Sequence, residues 1–109
     1  MHEAKTTKEI NFHNAVSDAL TDSPKLCSSE IISTKAISID INRCYGAEGN
    51  EIEPDCLEKC SSGNFSGQVR FEYKDGASCL KALSGTFNVT EYNPDDCMFY
   101  VEIKTINFN

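Results

Sequence analysis

The sequence predicts an α+β fold: a two-layer sandwich with a mostly antiparallel four-stranded sheet, short helices on one face and three disulfides. Segments with alternating apolar and polar residues are interleaved with segments of helical periodicity. Each predicted strand has one largely polar face, which is typical of a sheet that helices cover on one side only. Six cysteines are spread over most of the 109-residue chain, which is typical of small disulfide-stabilised proteins.

We divide the chain into an N-terminal amphipathic helix with its linker, residues 1–24, and a single disulfide-stapled α+β domain, residues 25–109. The helix is predicted over 9–20, because apolar residues recur there on one helical face: Phe12, Val16, Ala19 and Leu20. A capping-box pattern, Thr6-x-x-Glu9, precedes it. No cysteine lies in this helix, so no disulfide would fix it to the rest of the chain.

The predicted order of elements is helix, strand, helix, strand, helix, strand, strand. Strands are predicted where apolar and polar residues alternate: 36–43, 65–73, 86–92 and 97–108. Short helices are predicted between them, at 54–61 and 76–84. In the last strand the apolar phase shifts by one residue between Ile103 and Ile106, which predicts a bulge or a frayed end.

The same patterns predict which side chains point towards the core. On the buried side of the first strand we expect Ile37, Ile39 and Ile41. On the buried face of the helix at 54–61 we expect Cys56, Leu57 and Cys60. On the buried face of the helix at 76–84 we expect Cys79, Leu80 and Leu83.

The cysteines favour a disulfide framework over a metal site. They are Cys27, Cys44, Cys56, Cys60, Cys79 and Cys97. Zinc sites usually show two close cysteine pairs, whereas only Cys56 and Cys60 are close here, and the C-x-x-C of a thioredoxin-type redox centre is missing. On a helix, Cys56 and Cys60 share a face and are poorly placed to bond each other, so we predict that they link the helix to neighbouring elements. The sequence leaves the connectivity open.

Charge and composition exclude several classes of function. The chain has 17 acidic and 10 basic residues, a net charge of -7 and no basic patch, so we expect no nucleic-acid binding. No apolar run approaches the length of about 18 residues that a membrane span requires. Both histidines, His2 and His13, lie near the N-terminus, and no nucleophile, phosphate loop or metal triad is evident. We therefore expect a monomer that is not an enzyme and has no cofactor and no metal.

Two glycosylation acceptors support export. Asn64-Phe65-Ser66 and Asn88-Val89-Thr90 both fit the N-x-S/T pattern. Together with six cysteines, they favour a secreted, extracellular glycoprotein.

Two surfaces are candidates for binding a protein partner. The loop at 45–53 is acidic and carries Glu48, Glu51 and Glu53, which could attract a basic surface. Its alternative interpretation is a solvated loop that leads into a helix. Met98 and Tyr100 fall on the polar face of the last strand, where exposed apolar side chains suit a binding surface. Alternatively, the N-terminal helix covers them with its apolar stripe.

In size, cysteine count and the alternation of strands and helices from Cys27 to Cys97, the sequence resembles the small cysteine-rich effectors of plant-pathogenic fungi and the virally encoded killer toxins of fungi. The resemblance implies an α/β sandwich and an extracellular, non-enzymatic protein that acts on a host target or receptor. It carries no functional residue over to this chain.

We therefore expect a secreted, disulfide-rich, non-enzymatic interaction protein, an effector or toxin-like virulence factor that binds a host protein. One alternative is an extracellular protease inhibitor that presents the loop 45–55 between cysteines. The other is a carrier of a small apolar ligand beneath the N-terminal helix.

Overall fold

The computed structural model describes residues 6–26 and 28–109. Cys27 and His2 lie outside the described residues. The described elements are helix α1 (Thr7–Thr21) and strands β1 (Ile31–Tyr45), β2 (Ser62–Tyr73), β3 (Ser78–Asn93) and β4 (Met98–Phe108), with two 3₁₀ helices at Pro24–Leu26 and Pro54–Lys59.

The four strands form one antiparallel sheet in the order β1-β2-β3-β4, so each strand pairs with its neighbour in sequence. Helix α1 packs on one face of the sheet and contacts both outer strands, β1 and β4. The α+β class and the four-stranded antiparallel sheet are therefore confirmed. Among the helices of the described ranges, none is long and apolar enough to cross a membrane.

Helix α1 begins and ends close to where the sequence predicts. The hydroxyl oxygen of Thr6 accepts a hydrogen bond from the backbone N–H of Glu9 at 3.1 Å, which satisfies one of the free donors of the first turn. The helix ends at Thr21, shortly before Pro24, because proline cannot continue the hydrogen-bond pattern. Its buried face is Phe12, Val16 and Leu20, which confirms the predicted apolar stripe.

The core lies between this face of α1 and the sheet. Phe12 is 2 % exposed and packs edge-on against Phe99, with ring centroids 4.9 Å apart, and against Phe87 at 5.8 Å. Such edge-to-face pairs add about 0.5–1.5 kcal/mol to the free energy gained by burial. The aromatic cluster is the main connection between the helix and strands β3 and β4.

Inward-facing glycines make room for large side chains on the neighbouring strands. Gly85 pairs with Phe65 across β2 and β3. A Cβ atom at Gly85 would overlap the carbonyl oxygen of Thr105 and lie 2.9 Å from the Phe65 ring. Gly63 likewise pairs with Phe87, and Gly67 pairs with Ile39. A Cβ atom at either glycine would lie within 3 Å of its partner's side chain. The glycines therefore let these large side chains pack over the backbone at positions where neighbouring strands lie close together.

Strand β1 contains three register shifts against β2, and they correct one sequence prediction. Ile32, Ile37 and Asn42 are the extra residues. Each bulge reverses the side-chain phase, so Ile37 is 47 % exposed while Ile39 is 6 % exposed. The expectation that Ile37 points with Ile39 and Ile41 is wrong. Bulges at an edge strand also hinder pairing with another chain.

The helix predicted at 76–84 is wrong, because this segment is the first half of β3. The backbone N–H of Tyr73 donates to the carbonyl oxygen of Ala77 and closes a tight turn. Within the turn, the side chain of Asp75 accepts a hydrogen bond from the N–H of Ala77 at 2.9 Å, and Gly76 has a φ of 89°. The turn sends the chain back along β2. Leu83 is buried as expected, but Leu80 is 50 % exposed and Cys79 is only partly buried.

The helix predicted at 54–61 is a 3₁₀ helix, Pro54–Lys59, with non-helical backbone at Cys56. Leu57 and Cys60 are buried, whereas Cys56 is partly buried. The α-helical spacing that would place Cys56 and Cys60 on one face does not apply here.

The phase shift in the last strand is confirmed as a bulge. Thr86 pairs with Thr105 and Phe87 with Ile103, so Lys104 is the extra residue on β4. The bulge allows both Ile103 and Ile106 to pack against the core.

The three predicted disulfides are not present among the described residues. Cys44, Cys56, Cys60, Cys79 and Cys97 are all free thiols. Cys44 and Cys60 lie within the apolar cluster, where thiols pack as small apolar groups.

We expect Phe12→Ala to lower the free energy of unfolding by about 3–5 kcal/mol, because it removes a buried ring and its aromatic partners cannot fully fill the space. Urea unfolding followed by circular dichroism measures this change. The matched control is Ile10→Ala on the same helix, where Ile10 is 46 % exposed and a loss of no more than about 0.5 kcal/mol is expected. Equal losses for the two variants would contradict the assigned core.

Candidate functional site

A groove of about 390 Å³ lies between α1, β1 and the connection that joins β1 to β2. Three acidic residues line it: Glu9 of α1, Asp40 of β1 and Glu51 of the connection. We call it the acidic groove. Its acids come from three separate elements, so only the folded chain brings them together.

The floor of the acidic groove is apolar. Phe12, Ile39 and Leu57 line it and are each less than a tenth exposed. Ile41 and Ile52 add partly buried side chains. The groove therefore combines an apolar floor with an acidic rim, the combination that suits a ligand with both apolar and basic groups.

The rim carries an excess of negative charge. Arg43 is the only lysine or arginine among the described residues that line it, and its guanidinium lies 3.5 Å from the Glu51 carboxylate. Both of these side chains are more than half exposed, so the pair is weak and is available for exchange with another partner. Glu9 and Asp40 have no cationic partner among the ion pairs of the described residues.

The connection is held in place by backbone hydrogen bonds. The N–H of Ile52 donates to the carbonyl oxygen of Cys44 at 2.8 Å. The N–H of Ser61 donates to the carbonyl oxygen of Tyr45 at 2.7 Å. A turn closes the tip of the connection, where the backbone N–H of Gly46 donates to the carbonyl oxygen of Asn50 at 2.8 Å. Glu51 is therefore fixed beside the groove.

The predicted acidic loop is only partly in the site. Glu48, Glu51 and Glu53 are all exposed. Glu51 lines the groove, whereas Glu48 and Glu53 do not. Sequence reasoning missed Glu9 and Asp40, because nothing in the local pattern shows that α1 and β1 flank the connection.

His13 joins the two walls of the groove. Its Nε2 donates to the carbonyl oxygen of Ile39 at 2.8 Å, which links α1 to β1. His13 is partly buried, and this hydrogen bond helps to position the helix. Among residues 6–26 and 28–109, no three His, Cys, Asp or Glu side chains are grouped as metal ligands.

Met98 and Tyr100 do not belong to the acidic groove. They are 41 % and 49 % exposed, and they line a separate cleft near α1. The helix directs its apolar stripe at Phe99, which alternates with them on β4. The alternative in which the helix covers Met98 and Tyr100 is therefore wrong.

The two glycosylation acceptors lie on the inner strands β2 and β3. Asn88 is partly buried and pairs with Ser62 and Glu102 on the neighbouring strands. Asn64 pairs with Arg43 and Thr86, and its Oδ1 is buried without a hydrogen-bond partner. Each alternates along its strand with buried phenylalanine, Phe65 or Phe87, so both lie on the face opposite α1.

An ion pair fixes the helix to the other wall of the groove. Lys8 of α1 donates to the Glu58 carboxylate at 2.6 Å. This hydrogen bond raises the pKa of Lys8 and lowers the pKa of Glu58. At the same end of α1, the side chain of Asn11 donates to the carbonyl of Cys97 at 2.9 Å. The helix is therefore tied to the connection and to β4.

We expect Lys8→Gln to raise the pKa of Glu58 towards the ordinary value of about 4.3, because the substitution removes the charge that favours the carboxylate. The stabilisation from a lowered carboxyl pKa is present above the unfolded pKa and lost as the pH falls through the folded one. Carbon-13 NMR titration of the Glu58 carboxyl group measures the pKa of Glu58 in each variant. Lys59→Gln, which removes a neighbouring charge that makes no such hydrogen bond, is the control. An unchanged titration in Lys8→Gln would contradict the ion pair.

No protein-family model matches this chain, no curated protein is significantly similar to it in sequence, and no solved structure matches its fold significantly.

Proposed function

We propose that this protein is a secreted, non-enzymatic interaction protein, an effector or toxin-like virulence factor, whose acidic groove binds a basic segment of a host protein. The observation that carries the proposal is the groove itself: three acidic residues and a single arginine are among the described residues that line it, together with an apolar floor. A segment that combines Lys or Arg with apolar side chains complements both features.

Charge supports this choice of partner. The whole chain has a net charge of -7, so its field attracts a cationic surface before contact is made. Glu9 belongs to α1 and Asp40 to β1, so acidic residues of two different elements are available to pair with the cationic groups of a bound segment. The apolar floor then supplies burial, which fixes the segment after the charges have brought it in.

We expect the variant Asp40→Lys/Glu51→Lys to bind basic–apolar peptides about tenfold more weakly or worse, because each substitution replaces a surface attraction of roughly 1 kcal/mol with repulsion. The probes are short synthetic peptides in which Lys or Arg alternates with Leu or Phe. Isothermal titration calorimetry at two salt concentrations gives the affinity and its electrostatic part.

Two matched variants locate the effect. Glu72→Lys/Glu91→Lys changes the net charge by the same amount at exposed positions outside the groove, and a much smaller loss is expected. Glu48→Lys/Glu53→Lys tests the rest of the predicted acidic loop. Equal losses in all three variants, or equal binding of peptides with Glu in place of Lys, would contradict a specific groove.

The two alternative functions are distinguished by separate measurements. A protease inhibitor would inhibit at least one enzyme of a protease panel, and a carrier would release a copurified apolar ligand in native mass spectrometry. Neither result is expected from a groove with an acidic rim.

We further propose that the protein is extracellular and carries N-linked glycans at Asn64 and Asn88. Expression through a eukaryotic secretory pathway should give a chain whose mass falls on treatment with an N-glycosidase. Asn64→Gln and Asn88→Gln should each remove one glycan, so that the glycosidase lowers the mass of each variant by one glycan less than that of the wild type. A secreted wild-type chain that the glycosidase leaves unchanged would contradict this proposal.

A further inference from the structure

We infer that the free edge of β4 is a second binding surface, where an extended segment of a partner protein with alternating basic and apolar residues adds as a further strand. β4 comes last in the strand order β1-β2-β3-β4, so one of its sides has no neighbouring strand among the described residues. Unpaired backbone N–H and C=O groups on such an edge are a template for pairing with another chain. Met98 and Tyr100, which do not line the acidic groove, belong to this strand.

The backbone groups of Phe99 and Val101 point towards the free side of β4. Val101 pairs with Val89 of β3, whose own N–H donates at 2.8 Å to the carbonyl oxygen of Ser61, just before β2. Residues of an antiparallel pair either bond each other or point away from each other, in alternation. Val101 therefore directs its N–H and C=O away from β3, and so does Phe99, two residues earlier. The carbonyl oxygen of Tyr100, between them, instead accepts a hydrogen bond from a β3 hydroxyl at 3.1 Å.

The free edge of β4 is regular over Met98–Ile103. This segment pairs with β3 without an extra residue on β4, because the nearest irregularity there adds Thr90 to β3 and the bulge at Lys104 comes later. β1, at the opposite edge of the described sheet, contains three register shifts. Bulges and charges hinder pairing with another chain, and Met98–Val101 has neither. Of the two edges, β4 is therefore the one open to a new strand.

Two clefts run along this edge and leave room for a strand. Their volumes are about 430 Å³ and about 750 Å³, and every residue from Met98 to Lys104 lines at least one of them. Consecutive residues of a strand face opposite sides of the sheet, so what they share towards the clefts is the edge of the strand. The two clefts meet, because both are lined by the same residues of α1, β3 and β4: Ala19, Asp22, Thr90 and Val101.

Charge favours a basic partner. The smaller cleft is lined by Asp18 and Asp22 of α1 and, among the described residues, by no lysine or arginine. Both aspartates are exposed, and neither belongs to an ion pair of the described residues. In the larger cleft, Lys25 and Lys104 offset Asp22 and Glu102. The excess of negative charge therefore lies at the smaller cleft, where a Lys or Arg of the added strand complements it.

The two faces of the sheet define the rest of the segment. On one face, every second side chain of an added strand would lie beside α1, near Asp18 and the small side chain of Ala15. On the other face, the remaining side chains would lie beside Met98 and Tyr100, which are 41 % and 49 % exposed. The fitting segment therefore alternates Lys or Arg with apolar residues.

A second copy of this chain fits the edge less well. α1 runs in the same direction as β4, because Asn11 donates to the carbonyl oxygen of Cys97 at the start of the strand and Asp22 lines the cleft further along it. Two β4 strands paired antiparallel about Val101 would bring Asp18 and Asp22 of both copies towards each other. Juxtaposed like charges suppress such a pairing, whereas they attract a basic segment.

The experiment measures binding of the full chain to a blocked hexapeptide in which Lys alternates with Val, by isothermal titration calorimetry. Two further peptides are N-methylated, one at every Lys and one at every Val. Alternate amides of a strand point to opposite edges, so one methylated peptide should lose binding and the other should keep it. The variant Asp40→Lys/Glu51→Lys, which alters the acidic groove, should give the same pattern. The result is therefore separate from the test of the proposed function.

Amide hydrogen exchange, followed by NMR, locates the added strand. The N–H groups of Phe99 and Val101 should exchange at least about fivefold more slowly with bound peptide than without it, because they become hydrogen-bonded. The N–H of Tyr100, which points to β3, should be protected in both states. Val101→Pro removes one free donor at a position where an edge strand tolerates proline, and it should weaken binding by about fivefold or more.

A charge reversal tests the contribution of α1. Asp18→Lys/Asp22→Lys should weaken binding of the Lys–Val peptide by about tenfold or more, because attraction becomes repulsion. Glu30→Lys/Glu72→Lys, at exposed positions that line neither cleft, makes the same change of net charge and should have a much smaller effect.

Several outcomes would overturn the inference. They are no binding of the peptide, equal binding of both methylated peptides, loss of binding in Asp40→Lys/Glu51→Lys, and unchanged exchange at Phe99 and Val101. A dimer of the free chain in analytical ultracentrifugation that Val101→Pro dissociates would also overturn it, because a second copy would then occupy the edge.

Discussion

The packing of the apolar stripe of α1 against the sheet is the contact on which the rest of the molecule depends. Phe12 meets the rings of Phe87 and Phe99, and Val16 and Leu20 are fully buried on the same face. This contact fixes the rotation of the helix about its axis. The rotation in turn places Glu9 and His13 beside β1. Without it the acidic groove would lack one wall, and a short isolated helix would have little stability of its own.

The sheet is shaped by local irregularities that serve this packing. Glycines opposite Phe65, Phe87 and Ile39 let large side chains lie over the neighbouring backbone. Bulges in β1 and β4 change the side-chain phase where the sheet would otherwise point an apolar residue the wrong way. Together they allow a sheet of only four strands to contact the helix with both of its outer strands. The same bulges make the β1 edge irregular, which protects it against pairing with other chains.

The cysteines are part of this core in their reduced form. Cys44 and Cys60 occupy the apolar cluster beside the helix, and the fold closes around thiols without a crosslink among the described residues. A chain of this length buries roughly two thirds of its unfolded surface, which is enough for a hydrophobic core to hold the sheet together.

The sequence by itself determined the features that depend on neighbouring residues. The N-cap at Thr6, the apolar stripe of α1 and the phase shift at Ile103 each follow from spacing along one element, and each is confirmed. Tertiary structure decided the rest. Residues 78–84 have the spacing of a short helix, but the turn at Gly76 and pairing with β2 make them a strand, since backbone pairing across a sheet outweighs a weak local preference. Ile37 turned outward because a bulge, which pairing alone creates, reversed its phase. The acidic groove needed three elements that are distant in sequence, and only their packing brings Glu9, Asp40 and Glu51 to one surface.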